Sequence, residues 1–142
     1  LSIEGNDFIG ILEMPRYELS LPVCAQWKNL TLYPCRFSGS VHDKTMQIGA
    51  TTQSGQFDFY REISVGDTVK FIDVEGNVYT YAITNLRYEK HADKSALERK
   101  DSALTIFVKN SSKSQAFVTL HLPFPVIYIF FPNFSFLSSN ST

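Results

Sequence analysis

Through the first 122 residues, short apolar and β-branched runs alternate with polar or glycine-containing breaks about every 8–15 positions. Phe8–Leu12, Leu19–Val23 and Met46–Ala50 are the first three strand candidates. Thr68–Val74 and Val78–Tyr88 flank Glu75-Gly76-Asn77, the pattern of a β-hairpin. Ala103–Val108 and Ala116–Leu122 follow, joined by the polar stretch Lys109–Gln115. Helical signals are sparse. Ala92–Lys100 holds good helix formers behind a capping Asp93, and a single turn fits around Ala25–Leu30. At least seven short strands without intervening long helices predict a barrel or sandwich rather than a βαβ fold.

Charge divides the chain in two. All of its Lys, Arg, Asp and Glu residues lie before position 123, whereas residues 123–142 carry none. That final stretch has three of the six prolines and six aromatics, Phe124, Tyr128, Phe130, Phe131, Phe134 and Phe136. Its prolines break a helix, and Val126–Phe131 has the composition of an aggregation-prone strand. Three origins fit it: an extension packed on the body, a shortened membrane anchor, or a non-native reading frame. The six-residue apolar run is far short of the roughly 20 residues of a spanning helix.

The whole chain has 142 residues and a net charge of −1, without a basic cluster, which argues against nucleic-acid binding. Its 44% hydrophobic content suits one domain with a buried core. Cys24 and Cys35 are too few for a disulfide scaffold, and His42, His91 and His121 lack metal-ligand spacing, so no metal or other cofactor is expected. A Cys24–Cys35 bridge depends on a Cα distance that sequence does not supply. The chain begins with Leu1 rather than Met, the expectation for a processed product or fragment whose signal peptide or anchor lay upstream.

Several segments, taken in order, carry a resemblance. Gly5-Asn6-Asp7-Phe8-Ile9-Gly10-Ile11-Leu12, Met14-Pro15 and Leu19-Ser20-Leu21-Pro22-Val23 resemble the opening of a sortase domain. Leu32-Tyr33-Pro34-Cys35-Arg36-Phe37-Ser38-Gly39-Ser40 is similar to a segment of class B- and D-like sortases. Ile63–Phe71 with Asp73–Tyr81 resembles the family's central hairpin, and Leu104-Thr105-Ile106-Phe107 the strand leading to its nucleophile. The resemblance covers roughly residues 5–122. It implies a closed β-barrel of about eight strands with one or two short helices over residues 1–122, with 123–142 as a tail outside it.

Sortases are bacterial cell-wall transpeptidases that cleave Leu-Pro-x-Thr-Gly-type peptides with a Cys nucleophile, a His and an Arg. The resemblance places the His at Thr51, within Met46-Gln47-Ile48-Gly49-Ala50-Thr51-Thr52, and the Cys at Lys109, after Leu104–Val108. It places the Arg at Ala116, and no Arg follows Arg99. Thr51 cannot shuttle a proton, Lys109 offers an ammonium rather than a thiol, and Ala116 offers no charge. Losing nucleophile and base together costs about 10⁶ in turnover. The resemblance therefore implies a pseudoenzyme, extracytoplasmic, at the cell surface or anchored in the membrane by a segment outside this chain. Its partners would be a sorting-signal peptide, a pilin or other surface protein, or a true sortase. The alternative is an active transpeptidase or acyltransferase with relocated chemistry, using Cys35, Cys24, a serine among Ser111, Ser112 and Ser114 with His121, or the Lys109 amine. Leu86–Asp101 corresponds to the family's substrate-facing connection.

Overall fold

The structure is a computed structural model that describes residues 2–3, 6–28, 30, 32–89, 102–109 and 117–122. Ten strands join in one sheet. They are β1 (Ser2–Ile3), β2 (Asn6–Met14), β3 (Leu19–Cys24), β4 (Cys35–Ser38), β5 (Met46–Thr51), β6 (Thr68–Asp73), β7 (Val78–Ala82), β8 (Asn85–Glu89), β9 (Leu104–Lys109) and β10 (Phe117–Leu122). The order across the sheet is β7-β6-β2-β3-β4-β5-β9-β10-β8, with β1 paired to β2 off this path. The fold is the mostly-β, sortase-type barrel that the sequence predicts, with short 3₁₀ turns at Pro15–Tyr17 and Tyr60–Glu62. The sheet curls so that its end strands, β7 and β8, are neighbours in sequence, although they share no ladder among the described residues.

Local chemistry explains the connections. Pro15 pre-sets the first turn of the β2–β3 hairpin, and Glu18 closes it in the left-handed region at φ 54°, donating its N–H to the Pro15 carbonyl at 3.1 Å. The β6–β7 hairpin forms at the expected Glu75-Gly76-Asn77 connection. Gly76 takes φ 88°, and the Asp73 carboxylate accepts hydrogen bonds from the N–H groups of Glu75 and Asn77 at 3.0 and 2.9 Å.

Two local expectations are corrected, and one strand is added. Val78–Tyr88 is two strands, because Ile83 leaves the ladder to exchange hydrogen bonds with the Ser64–Asp67 turn: Ile83 N–H to the Asp67 carbonyl at 3.0 Å, and Gly66 N–H to the Ile83 carbonyl at 2.8 Å. The described residues between Ala25 and Leu30 are not helical, because their ends are held by the sheet: Cys24 N–H bonds the Pro34 carbonyl and Ala25 N–H the Asp7 carbonyl. Cys35–Ser38 forms a strand that periodicity alone does not announce. Ala92–Lys100 and residues 123–142 lie outside the described residues.

The core fills the concave side of the sheet. Met46, Ile48 and Ala50 of β5 alternate inward and meet Leu104, Ile106 and Val108 of β9, Leu12 and Met14 of β2, and Phe71 of β6. The other face of β5 is also covered, since all six of its residues are buried. Part of that cover is Trp27, whose ring lies over Gly49.

Candidate functional site

β5 and β9 run parallel in continuous register from Met46 opposite Leu104 to Thr51 opposite Lys109. Cross-strand partners share a face, so the alternation that sends Ala50 and Val108 into the core turns Thr51 and Lys109 to the outside. Two of the three sequence-identified positions are thus brought side by side at the C-terminal ends of adjacent strands. Ala116 lies outside the described residues, as do Ser111, Ser112 and Ser114. The ladder between β9 and β10 sets Phe117 opposite Lys109. It sets His121 opposite Thr105, four positions and about 13 Å along the strand from Lys109. Of the connection Leu86–Asp101, the described part, Leu86–Glu89, is strand β8, paired to β10.

Thr51 is held through its backbone. Its N–H donates to Gln56 Oε1 at 3.1 Å, and its carbonyl accepts from the Phe57 N–H at 3.0 Å. Gln56 Nε2 in turn donates to the Leu30 carbonyl at 2.6 Å, tying Leu30 to the strand end. The next residue, Thr52, donates its N–H to the Lys109 carbonyl at 3.0 Å. The Thr51 side chain is 4% exposed, and its hydroxyl makes no hydrogen bond. Lys109 is exposed.

Along the same outer face, two positions before Thr51 and Lys109, Gly49 and Phe107 are paired. A Cβ at Gly49 would come within 2.6 Å of the Trp27 ring, so glycine is what lets the indole lie on the sheet. Trp27, Phe37 and Phe107 pack as a trio with centroid separations of 5.1, 5.8 and 5.6 Å. Phe107 is buried under the other two, while Trp27 and Phe37 are 46% and 44% exposed. The trio was not anticipated from the sequence. Trp27 belongs to a stretch without periodicity, and the one signal available was a glycine inside a strand.

The two thiols do not reach this surface. Cys24 and Cys35 are 3% and 0% exposed and pack with Phe8 beneath Leu30 and Tyr33. Burial, with a smaller effect of the neighbouring Cys35, pushes the Cys24 pKa up to about 11, which keeps that thiol protonated. Among the described residues, no group of three or more His, Cys, Asp or Glu could hold a metal ion.

The arrangement offers a part-exposed aromatic platform, a buried hydroxyl and one cation, without a thiol or imidazole beside them among the described residues. No protein-family model and no curated protein matches the chain. Solved structures do. Sortase C1 from Streptococcus agalactiae superposes with a TM-score of 0.73 at 17% identity, over 91% of this chain and 72% of that one. Sortase C1 from Streptococcus suis gives 0.70 at 17% identity, over 87% and 75%. Sortase A from Corynebacterium diphtheriae gives 0.70 at 12% identity, over 93% and 66%. At such identities the likeness is one of fold, across sortases of more than one type, and on that evidence the chain has the sortase fold.

Proposed function

We propose that this chain is a catalytically inactive sortase-like domain that works outside the cytoplasmic membrane and binds an extended peptide of the sorting-signal type, carried by a pilin or other surface protein, on the outer face of β5 and β9. The observation that carries this reading is the Thr51–Lys109 register pair. These residues stand side by side where the resemblance calls for a His and a Cys, and neither supplies that chemistry. The platform of Trp27, Phe37 and Phe107 supports binding, because part-exposed aromatics next to a strand-end cation suit a peptide with apolar side chains and a carboxylate. A partner sortase contacting the same face would serve the same accessory role. No helix among the described residues is long and apolar enough to cross a membrane, so attachment would come from a segment outside them.

The relocated-enzyme reading is disfavoured by the burial of both thiols and by the position of His121 along β10. A quenched Leu-Pro-x-Thr-Gly peptide library distinguishes the two. The expected result is no cleavage, together with saturable quenching of Trp27 fluorescence that Lys109→Ala weakens. Cleavage abolished by Cys35→Ala would overturn the proposal.

A further inference from the structure

Cys24 ends β3 and Cys35 opens β4, and the two are register partners in a parallel seam that has just this one pair, against six between β5 and β9. Directly paired residues of neighbouring strands have Cα atoms roughly 5 Å apart and Cβ atoms on one face. That lies inside the roughly 4.4–6.8 Å span of disulfides. Both residues are free thiols here, and the Cys35 thiol donates to the Tyr33 carbonyl at 3.4 Å.

Ten residues, 25–34, lie between them in sequence, and Trp27 and Leu30 among them form a strap over the outer face of the sheet. Trp27 rests on Gly49, and the Leu30 carbonyl holds Gln56, whose side-chain oxygen receives the Thr51 N–H. The strap's two ends are tied down by hydrogen bonds: Ala25 N–H to the Asp7 carbonyl at 2.8 Å, Arg36 Nε to the Ala25 carbonyl at 3.1 Å, and Cys24 N–H to the Pro34 carbonyl at 2.9 Å. The weakest seam of the sheet therefore sits at the base of the segment that builds the aromatic platform.

We propose that Cys24 and Cys35 form an intrachain disulfide that staples the β3–β4 seam, and that this bond sets how firmly the strap holds Trp27 and Leu30 beside Thr51. The oxidant is a disulfide, either a small molecule such as oxidised glutathione or a thiol oxidoreductase. One cysteine thiolate attacks it, breaking the S–S bond and releasing one thiol, which leaves a mixed disulfide on the protein. The second cysteine thiolate attacks the protein-side sulfur and releases the second thiol. The protein loses two electrons and two protons, and the oxidant gains them as two thiols. Burial slows the first attack in the closed seam, so exchange proceeds while the strap is open, during folding. The finished bond is shielded by Phe8, Leu30 and Tyr33. The proposal stands on the geometry of the seam and is independent of whether the outer face binds a peptide.

The test refolds the full chain in a glutathione redox buffer and, in parallel, under a phosphine reductant. The oxidised sample is expected to be lighter by two hydrogens, to show no alkylatable thiol after denaturation, and to melt about 10 °C higher. Trp27 is the single tryptophan, so its fluorescence reports the strap directly. Acrylamide should quench it less in the oxidised form. Cys24→Ser and Cys35→Ser should keep the reduced behaviour in both buffers. The central comparison uses the unaltered chain, so poor folding of a variant does not blunt it. Two alkylatable thiols, or glutathione adducts alone, after oxidative refolding would overturn the bridge. A bridge that forms without changing melting or quenching would overturn its control of the strap.

Discussion

The hydroxyl of Thr51 is buried and unpaired, while the backbone around it is fully engaged. A hydroxyl taken from water without a partner costs about 1–3 kcal/mol. Valine has nearly the same shape without that requirement. Thr51→Val is therefore expected to stabilise the protein by about 1 kcal/mol, which urea unfolding would measure directly. A loss of stability instead would mean that the hydroxyl has a partner in solution. The same substitution bears on binding. If Thr51 meets a ligand through its hydroxyl, the valine variant will be more stable and will bind the peptide less tightly, a combination that a purely structural threonine does not produce. Reading the sequence found this residue because the segment Met46–Thr52 resembles the family strand that ends in its His. It did not find Trp27 or Phe37, whose role comes from a loop folding back over a glycine and has no periodic trace.

At the scale of elements, the 3₁₀ turn between β2 and β3 is fastened to the start of β6 by one carboxylate. Asp67 accepts hydrogen bonds from the Tyr17 hydroxyl, from the Ser64 N–H at 2.9 Å and from Arg16 at 2.7 Å, and its side chain is 7% exposed. Burial acts to raise the Asp67 pKa, but the hydrogen bonds from Tyr17, Ser64 and Arg16 outweigh it, and the pKa lies below the ordinary carboxylate value. A group whose pKa is lower in the folded chain contributes its stability above the unfolded value, near 3.9, and loses it as pH falls through the folded value. The Arg16 head is exposed and screened by solvent, so Tyr17 and the Ser64 N–H carry the effect. Asp67→Asn is expected to cost about 2 kcal/mol at pH 7, and the gap to the unaltered chain should close at an acid pH well below the ordinary carboxylate range. Urea titrations at the two pH values check this, and a gap that persists in acid would contradict it. The turn that holds Asp67 also breaks Val78–Tyr88 into two strands, through hydrogen bonds with Ile83. That break was illegible in a continuous β-branched run because its cause lies in a turn about 17 residues upstream.

For the whole molecule, we propose that the contrast in charge between residues 1–122 and 123–142 marks where the fold ends. Every residue in the main buried cluster of the described chain lies between Leu12 and Val108. β10, the last described strand, is already flanked by β9 and β8, and its ladders run out to His121 and Leu122. No lattice position beside β10 remains for a further strand, and the sheet needs nothing after Leu122 to join its ten strands. A chain ending at Leu122 is therefore expected to fold with a melting temperature within a few degrees of the full chain's. It should also aggregate more slowly, because Val126–Phe131 is the strongest uncharged β-forming run in the sequence. Thermal melts and light scattering of the two chains measure both effects. A collapse of the melting temperature on truncation would instead make the aromatic stretch part of the barrel. The sortase-like domain would then extend past the point where its charged sequence stops.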